Sequence, residues 1–227
     1  MSAHDQETYD ELYRSAPALW SGRPNRQLVV EASELPSGRA LDAGSGEGGD
    51  ALWLAERGWQ VTAVDFSTVA LERAAAAAAE RGLERIEWVH ADLGSWTAPG
   101  GSFDLVTAHY LHASWVDRSA LFRRLAAAVA PGGTLLVVGH LLVEGHGHDQ
   151  GHDQGHDHGG AGDGRGQLHE RDPAAFYTAE EVMAALDPAQ WQDVVTEARD
   201  RDPAAADRTG NHVPDTVLVA RRLLGAR

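Results

Sequence analysis

A glycine-rich turn at residues 42–49 constrains the fold of this chain more than any other feature. It reads Asp-Ala-Gly-Ser-Gly-Glu-Gly-Gly and separates a short apolar run at 39–43 from a helical pattern at 48–57. Glycine adopts left-handed backbone conformations and lets the backbone approach a ligand closely. The helix beyond the turn offers free N–H groups and a partial positive charge. Such a turn between a strand and a helix is typical of nucleotide-binding α/β sheets.

Apolar runs alternate with helical patterns along the chain, which indicates a mainly parallel sheet. Strands are predicted at 39–43, 60–64, 86–90, 103–108, 134–139, 191–198 and 215–222. Helices are predicted at 5–14, 24–34, 48–57, 67–81, 118–130 and 178–186, with a turn at 131–133. The last two strands are joined by too short a connection for a crossover helix, so we expect them to be antiparallel. The predicted fold is α/β, a Rossmann-like, mostly parallel sheet of seven strands with a C-terminal antiparallel hairpin and helices on both faces.

Length and composition exclude several classes of protein. The 227 residues suit one α/β domain. A net charge of -15 argues against a nucleic-acid partner, because phosphate backbones are bound by basic side chains. The chain has no Cys, which excludes disulfides and thiolate chemistry. Without a membrane-spanning apolar run or a secretory pattern, we expect a cytoplasmic protein that does not bind membranes, either a monomer or a homodimer.

Two cofactors fit the glycine-rich turn. Gly44, Gly46 and Gly49 match the dinucleotide fingerprint, with Asp65 at the end of the next strand to accept ribose hydroxyls. That pattern predicts an NAD(P)-dependent oxidoreductase. Asp42, however, would repel a pyrophosphate but suits the ammonium of a bound amino acid, which S-adenosylmethionine carries. The antiparallel terminal pair also favours S-adenosylmethionine.

The chain resembles the class I S-adenosylmethionine-dependent methyltransferases. The resemblance rests on four segments, ALDAGSGEGGDALWLAERGWQVTAVDFS, HADL, FDLVTAHYLH and PGGTLLVVGH. It runs from about residue 24 to 142 and more loosely over the final strands. The N-terminal stretch is similar to that of small bacterial methyltransferases of the tellurite-resistance and thiopurine types.

The resemblance implies a cofactor site and a division of the chain. Asp42 and the glycines would hold the methionine part, Asp65 the ribose and Asp92 the adenine amine. The full set of implied cofactor residues is Tyr13, Trp20, Asp42, Gly44, Ser45, Gly46, Gly48, Asp65, Phe66, Ala91, Asp92, Leu93 and His109. A single methyltransferase domain would divide into a helical lid at 1–37, a cofactor-binding core at 38–142, a His-rich loop at 144–172 and a C-terminal helix and hairpin at 173–227.

The expected reaction is methyl transfer to O, N or S of a small-molecule acceptor, in detoxification or secondary metabolism. Because the sulfonium donor is already activated, the protein mainly positions the acceptor. A base is needed only where the acceptor must lose a proton. His109 and His112 follow the fourth strand and are the candidates for a base or for an acceptor-positioning group.

A Gly-, His- and Asp-rich tract follows the fifth strand. Imidazole and carboxylate ligands suit divalent metals such as Zn, Ni, Cu or Co. The candidate metal ligands are His140, His146, His148, His152, His156, His158 and His169. A metal-binding protein is therefore an alternative function, and a low-complexity expansion without function is the plainer interpretation.

Overall fold

The computed structural model describes residues 6–111, 117–141, 176–200 and 214–225. Its helices are α1 (Gln6–Arg14), α2 (Arg26–Ala32), α3 (Gly49–Glu56), α4 (Thr68–Glu80), α5 (Arg118–Ala128) and α6 (Ala179–Ala184). Its strands are β1 (Arg39–Ala43), β2 (Gln60–Asp65), β3 (Ile86–His90), β4 (Phe103–His109), β5 (Val129–His140), β6 (Trp191–Arg199) and β7 (Asp215–Arg222). A short 3-10 helix, Pro188–Gln190, precedes β6.

The seven strands form one sheet in the order β3-β2-β1-β4-β5-β7-β6. The first five pair in parallel, whereas β7 pairs antiparallel with both β5 and β6. The carboxyl ends of β1, β2 and β4 therefore meet at one edge of the sheet, on either side of the glycine-rich turn. The predicted Rossmann-like fold with a C-terminal antiparallel pair is confirmed.

Side chains alternate between the two faces of the sheet, and each face is covered by helices. Leu41, Val106 and Leu135 pack in one apolar cluster with residues of α5 and α6. Ala40 and Leu105, their neighbours in sequence, pack in a second cluster with residues of α2 and α3. Because successive side chains of a strand point to opposite faces, a central strand must be apolar on both.

Element ends agree with the prediction to within two residues except at β5, which begins at Val129 instead of residue 134. The predicted turn at 131–133 lies inside this strand. Val129 pairs with Phe103, and the register then shifts before Thr134 pairs with Leu105. Pro131 and the glycines are thus accommodated by an irregularity in the strand, which sequence patterns do not distinguish from a turn.

The edge strand β6 is also irregular. Asp193 has a φ of 50°, and the pairing with β7 shifts register between Gln192 and Val195. Val194 and Val195 are 40% and 37% exposed, whereas Trp191 at the start of the strand is buried. The strand therefore carries a bulge. None of the described helices has the length and apolarity needed to cross a membrane.

Candidate functional site

The turn between β1 and α3 depends on its glycines. Gly44, Gly46 and Gly48 have φ values of 81°, 51° and 80°, a region that other residues rarely adopt. A Cβ added at Gly48 would lie 2.9 Å from the Cβ of Ala74 and 2.8 Å from the ring of Trp88. The turn therefore needs glycine both for its backbone conformation and for the close packing of α4 and β3 against it.

Asp65 at the end of β2 holds the turn in place. Its Oδ2 accepts a hydrogen bond from the Gly46 backbone N at 2.8 Å, and its Oδ1 accepts one from the Ser67 N at 2.9 Å. The residue is 5% exposed. Burial raises the pKa of Asp65, while these backbone N–H groups act in the opposite direction. The carboxylate thus joins the glycine-rich turn to the start of α4.

Asp42 on β1 is a buried carboxyl group with one free oxygen. It is 2% exposed. Oδ1 accepts a hydrogen bond from Thr107 Oγ1 at 3.3 Å, whereas Oδ2 has no partner among the described residues. Burial raises the pKa of Asp42, the nearby Asp50 raises it further, and His109 opposes the rise. A positively charged donor at Oδ2 would remove the cost of this burial.

His109 at the end of β4 pairs with Asp50 in the first turn of α3. Its Nδ1 lies 2.7 Å from Asp50 Oδ2, and Asp50 Oδ1 accepts a hydrogen bond from the Asn25 backbone N at 2.6 Å. The His109 Nε2 is buried without a partner among the described residues. Sequence reasoning missed Asp50. The available signal was a carboxylate in the first turn of the helix that follows the glycine-rich turn.

The N-terminal segment packs onto the glycine-rich turn. The Tyr13 hydroxyl lies 3.0 Å from the position that a Cβ would occupy at Gly46, and the Trp20 indole N donates to this hydroxyl at 3.3 Å. The Glu47 side chain accepts hydrogen bonds from the backbone N of both Leu19 and Trp20, at 3.0 Å and 2.9 Å. The turn and the N-terminal segment are therefore bonded directly to each other.

Two carboxylates that sequence reasoning did not single out as anchors hold this segment. Glu47 also pairs with Arg73 of α4 at 2.8 Å. Asp10 of α1 accepts a hydrogen bond from the hydroxyl of Ser67, the N-cap of α4. The anchors connect residues far apart in sequence, so no local pattern predicted them.

The residues predicted to surround the adenine lie in the turn that follows β3 and include an exposed carboxylate, whereas Asp42 is buried. Asp92 is exposed, and its Oδ1 accepts a hydrogen bond from the Gly94 N at 2.7 Å within its own turn. Arg124 of α5 donates to the carbonyls of Leu93 and Gly94 at 2.7 Å and 3.0 Å. Ala91 is partly buried. One Asp92 oxygen thus stabilises the turn after β3.

Phe66 and Ser45 complete the predicted cofactor residues. The Phe66 ring packs edge-on against Tyr9, with centroids 4.9 Å apart, and the Ser45 hydroxyl is buried with no partner among the described residues. The structure therefore gathers the predicted set at the carboxyl ends of β1, β2, β3 and β4, together with Tyr13 and Trp20 of the N-terminal segment.

One of the seven predicted metal ligands lies within the described residues. His140 ends β5, where its ring stacks on Tyr110 with centroids 4.5 Å apart. The remaining predicted metal ligands lie outside the described residues: His146, His148, His152, His156, His158 and His169. His112, the second candidate base, also lies outside them. Within the described part of the chain, no group of three or more His, Cys, Asp or Glu side chains is arranged to hold a metal ion. Metal binding by the tract stays a prediction.

Several known methyltransferases are similar to this chain in sequence. A family model described as a methyltransferase domain matches residues 40–133. The chain is 31% identical over 150 residues to the 2-heptyl-1-hydroxyquinolin-4(1H)-one methyltransferase of Mycobacteroides abscessus, a match that covers 61% of this chain and 66% of that protein. It is 35% identical over 117 residues to the trans-aconitate 2-methyltransferase of Sinorhizobium medicae, covering 51% of this chain and 43% of that protein.

A solved structure resembles the chain over nearly its whole length. It is a protein studied for the conversion of a disulfide bond into a thioacetal group during echinomycin biosynthesis, with a TM-score of 0.68 and 22% identity, covering 98% of this chain and 94% of the other. At that identity the likeness shows the fold alone.

The family match gives no support to the nicotinamide alternative, and the narrower tellurite-resistance and thiopurine subgroup stays a prediction. The curated matches span 66% or less of the relatives' own lengths. Residues 40–133 therefore belong to the methyltransferase domain family, and the sheet built around them has the topology of a class I S-adenosylmethionine-dependent methyltransferase.

Proposed function

We propose that this chain transfers the methyl group of S-adenosylmethionine to an O, N or S atom of a small-molecule acceptor. The observation that carries the proposal is the buried Asp42, whose Oδ2 has no partner among the described residues. An anion held in this way under a glycine-rich turn is costly unless a cation pairs with it. The ammonium group of the methionine part supplies that cation.

The other residues of the site fit the rest of the cofactor. Asp65 faces the turn at the end of β2, where its remaining lone pairs would accept the ribose hydroxyls. The second Asp92 oxygen would accept from the adenine amine. When bound, the cofactor would supply a methyl group activated by its sulfonium. A nucleophilic atom of the acceptor would bond to the methyl carbon as the C–S bond breaks, and S-adenosylhomocysteine would leave. The protein's part is to hold both molecules in line and to exclude water.

The N-terminal segment would close over the cofactor. Tyr13 and Trp20 are joined to each other, and Glu47 of the turn fixes the backbone just before and at Trp20. An aromatic face beside a sulfonium gains a cation–π contribution. These contacts support the predicted lid over residues 1–37, of which residues 6–37 are described.

The acceptors of the two relatives are the first candidates to test. One is a hydroxylated quinolone and the other is the tricarboxylate trans-aconitate. The net charge of -15 would repel a trianion at long range and so slow its encounter. We therefore expect an uncharged aromatic acceptor to react faster than either trans-aconitate or the oxyanion tellurite, which the subgroup resemblance suggests.

Cofactor binding tests the proposal most directly. Thermal unfolding is measured with S-adenosylhomocysteine, with NADH or with nothing added. A ligand at one hundred times its dissociation constant stabilises by about 2.7 kcal/mol, which is roughly 5–11 °C at this chain length. A rise with S-adenosylhomocysteine alone is expected. A rise with NADH alone would overturn the proposal. Transfer of labelled methyl groups to the candidate acceptors then identifies the acceptor class.

A further inference from the structure

The Nε2 atom of His109 is buried in the candidate site, and methyl transfer itself does not require it. The side chain is 4% exposed, and Nε2 has no hydrogen-bond partner among the described residues. A buried polar atom without a partner is costly in a folded protein. Its position at the end of β4, beside the turn that follows β1, suggests that a ligand supplies the partner.

Asp50 determines which proton the ring carries. A carboxylate accepts hydrogen bonds but does not donate them. One Asp50 oxygen accepts from the Asn25 N, and the other lies 2.7 Å from Nδ1 of His109. The Nδ1 atom must therefore carry the proton of this pair. In the neutral ring, Nε2 then presents a lone pair to the site.

The group that faces this lone pair must be a donor. Asp42 lies close enough to interact electrostatically with both His109 and Asp50, and its Oδ2 is a second acceptor without a partner. The two buried acceptor atoms of Asp42 and His109 lie near two further carboxylates, those of Asp50 and Asp65. Such surroundings favour a positively charged ligand group with several N–H bonds. An ammonium group has three donors and one positive charge.

We propose that Asp50 is a positioning residue that fixes the His109 tautomer, so that Nε2 of His109 accepts a further hydrogen bond from the ammonium group that pairs with Asp42. The proposal rests on the proposed function and deepens it. It assigns His109 to recognition of the cofactor instead of removal of a proton from the acceptor. Methyl transfer would then need no contribution from the His109 ring as a base.

The first test compares two ligands by isothermal titration calorimetry. S-adenosylhomocysteine carries the ammonium group, and 5′-S-(3-carboxypropyl)-5′-thioadenosine lacks it. The His109→Phe substitution keeps the space filled but removes the acceptor. A hydrogen bond to a charged group contributes about 1.5–3 kcal/mol, so we expect affinity for S-adenosylhomocysteine to fall about 10- to 100-fold. The affinity for the deaminated analogue should be unchanged.

A milder substitution tests the tautomer. In Asp50→Asn, the amide oxygen stays with the Asn25 N–H, and the NH2 group turns toward Nδ1. The ring proton must then move to Nε2, which becomes a donor and repels the ammonium group. In ¹⁵N spectra of the wild-type protein, Nε2 of His109 should appear as an unprotonated ring nitrogen, and in Asp50→Asn as a protonated one. Affinity for S-adenosylhomocysteine alone should fall.

Asp104→Asn is the matched control, because it makes the same exchange on β4 at an exposed carboxylate that bonds the Arg39 N. It should bind both ligands as the wild type does. Equal losses for both ligands in His109→Phe and Asp50→Asn would overturn the proposal. So would unchanged affinity for S-adenosylhomocysteine with lost methyl transfer, which would make His109 a base. If the wild type binds no S-adenosylhomocysteine, the proposed function itself fails.

Discussion

Asp42 and Asp92 stand at opposite ends of the proposed cofactor site and are treated differently by the fold. Asp42 is 2% exposed and keeps one oxygen without a partner among the described residues. Asp92 is exposed, and one of its oxygens bonds the turn that follows it. A buried carboxylate lowers the stability of the ligand-free protein, whereas an exposed one is solvated at little cost. The two ends should therefore contribute very differently to ligand affinity.

The strongest test of this difference is Asp42→Asn. The amide has nearly the same shape but no charge, so the ligand's ammonium loses its buried counter-ion. We expect affinity for S-adenosylhomocysteine to fall about 10- to 150-fold, because hydrogen bonds to charged groups are worth about 1.5–3 kcal/mol. Calorimetric titration measures the change. Wild-type affinity in this variant would show that Asp42 does not face the ligand.

The same substitution should stabilise the ligand-free protein in a pH-dependent way. Burial raises the pKa of Asp42 from 3.8 to about 7, so the folded state holds the proton more tightly than the unfolded state. The wild type is then most favoured below the unfolded pKa, and its stability falls as the pH rises through the folded value. Asp42→Asn lacks this loss.

Thermal unfolding at several pH values checks the prediction. The advantage of Asp42→Asn over the wild type should grow between about pH 4 and 7 and then level off. At pH 8 we expect a gain of about 1 kcal/mol or more, which is about 2–4 °C in Tm for each kcal/mol at this size. A difference that does not vary with pH would mean that Asp42 is not the group responsible.

The effect expected at Glu47 is intermediate between those at Asp42 and Asp92. Glu47 bonds the turn to the N-terminal segment but does not face the proposed ammonium site. Glu47→Gln keeps one acceptor and loses the charge that pairs with Arg73. We expect affinity for S-adenosylhomocysteine to fall about threefold to tenfold, from a net contribution of about 0.5–1.5 kcal/mol. Limited proteolysis should also cut the N-terminal segment faster.

Glu56→Gln provides the comparison for Glu47→Gln. Glu56 pairs with Arg81 at 3.1 Å, with both side chains more than 40% exposed. Exposed pairs of this kind contribute little to stability. Ligand affinity and proteolysis should match the wild type. Equal behaviour of the two variants would mean that Glu47 does not anchor the segment.

The smallest effect is expected at Asp92. Asn also accepts a hydrogen bond from the Gly94 N, so Asp92→Asn keeps the turn. Because the group is exposed, we expect affinity for S-adenosylhomocysteine to change by no more than about fivefold. Titration under the conditions used for Asp42→Asn makes the comparison direct. A loss at Asp92 as large as that at Asp42 would remove the distinction between the two ends.

The sequence predicted the sheet well because its signals are local. Apolar runs such as 60–64 and 103–108, and the capping residues Ser67 and Thr178, identify elements from neighbouring residues alone. The start of β5 was wrong because a Pro-Gly-Gly segment inside an irregular strand has the composition of a turn.

The candidate site was predicted only in part, because sequence signals are local and some of its contacts are not. Asp42, Asp65 and the glycines follow from a contiguous motif. The pairing of His109 with Asp50, and that of Glu47 with the backbone at Leu19, join residues that are 59 and 28 positions apart. Such pairs depend on the three-dimensional arrangement of β4, α3 and the N-terminal segment, which no local pattern encodes.

The bulge in β6 has a consequence for how copies of this protein behave in a crowded solution. An edge strand with exposed valines is a template on which another chain can add a strand and aggregate. The positive φ at Asp193 and the register shift beside it break the row of N–H and C=O groups that such addition needs. The bulge thus interrupts strand addition at the β6 edge of the sheet, away from the proposed cofactor site at β1, β2 and β4.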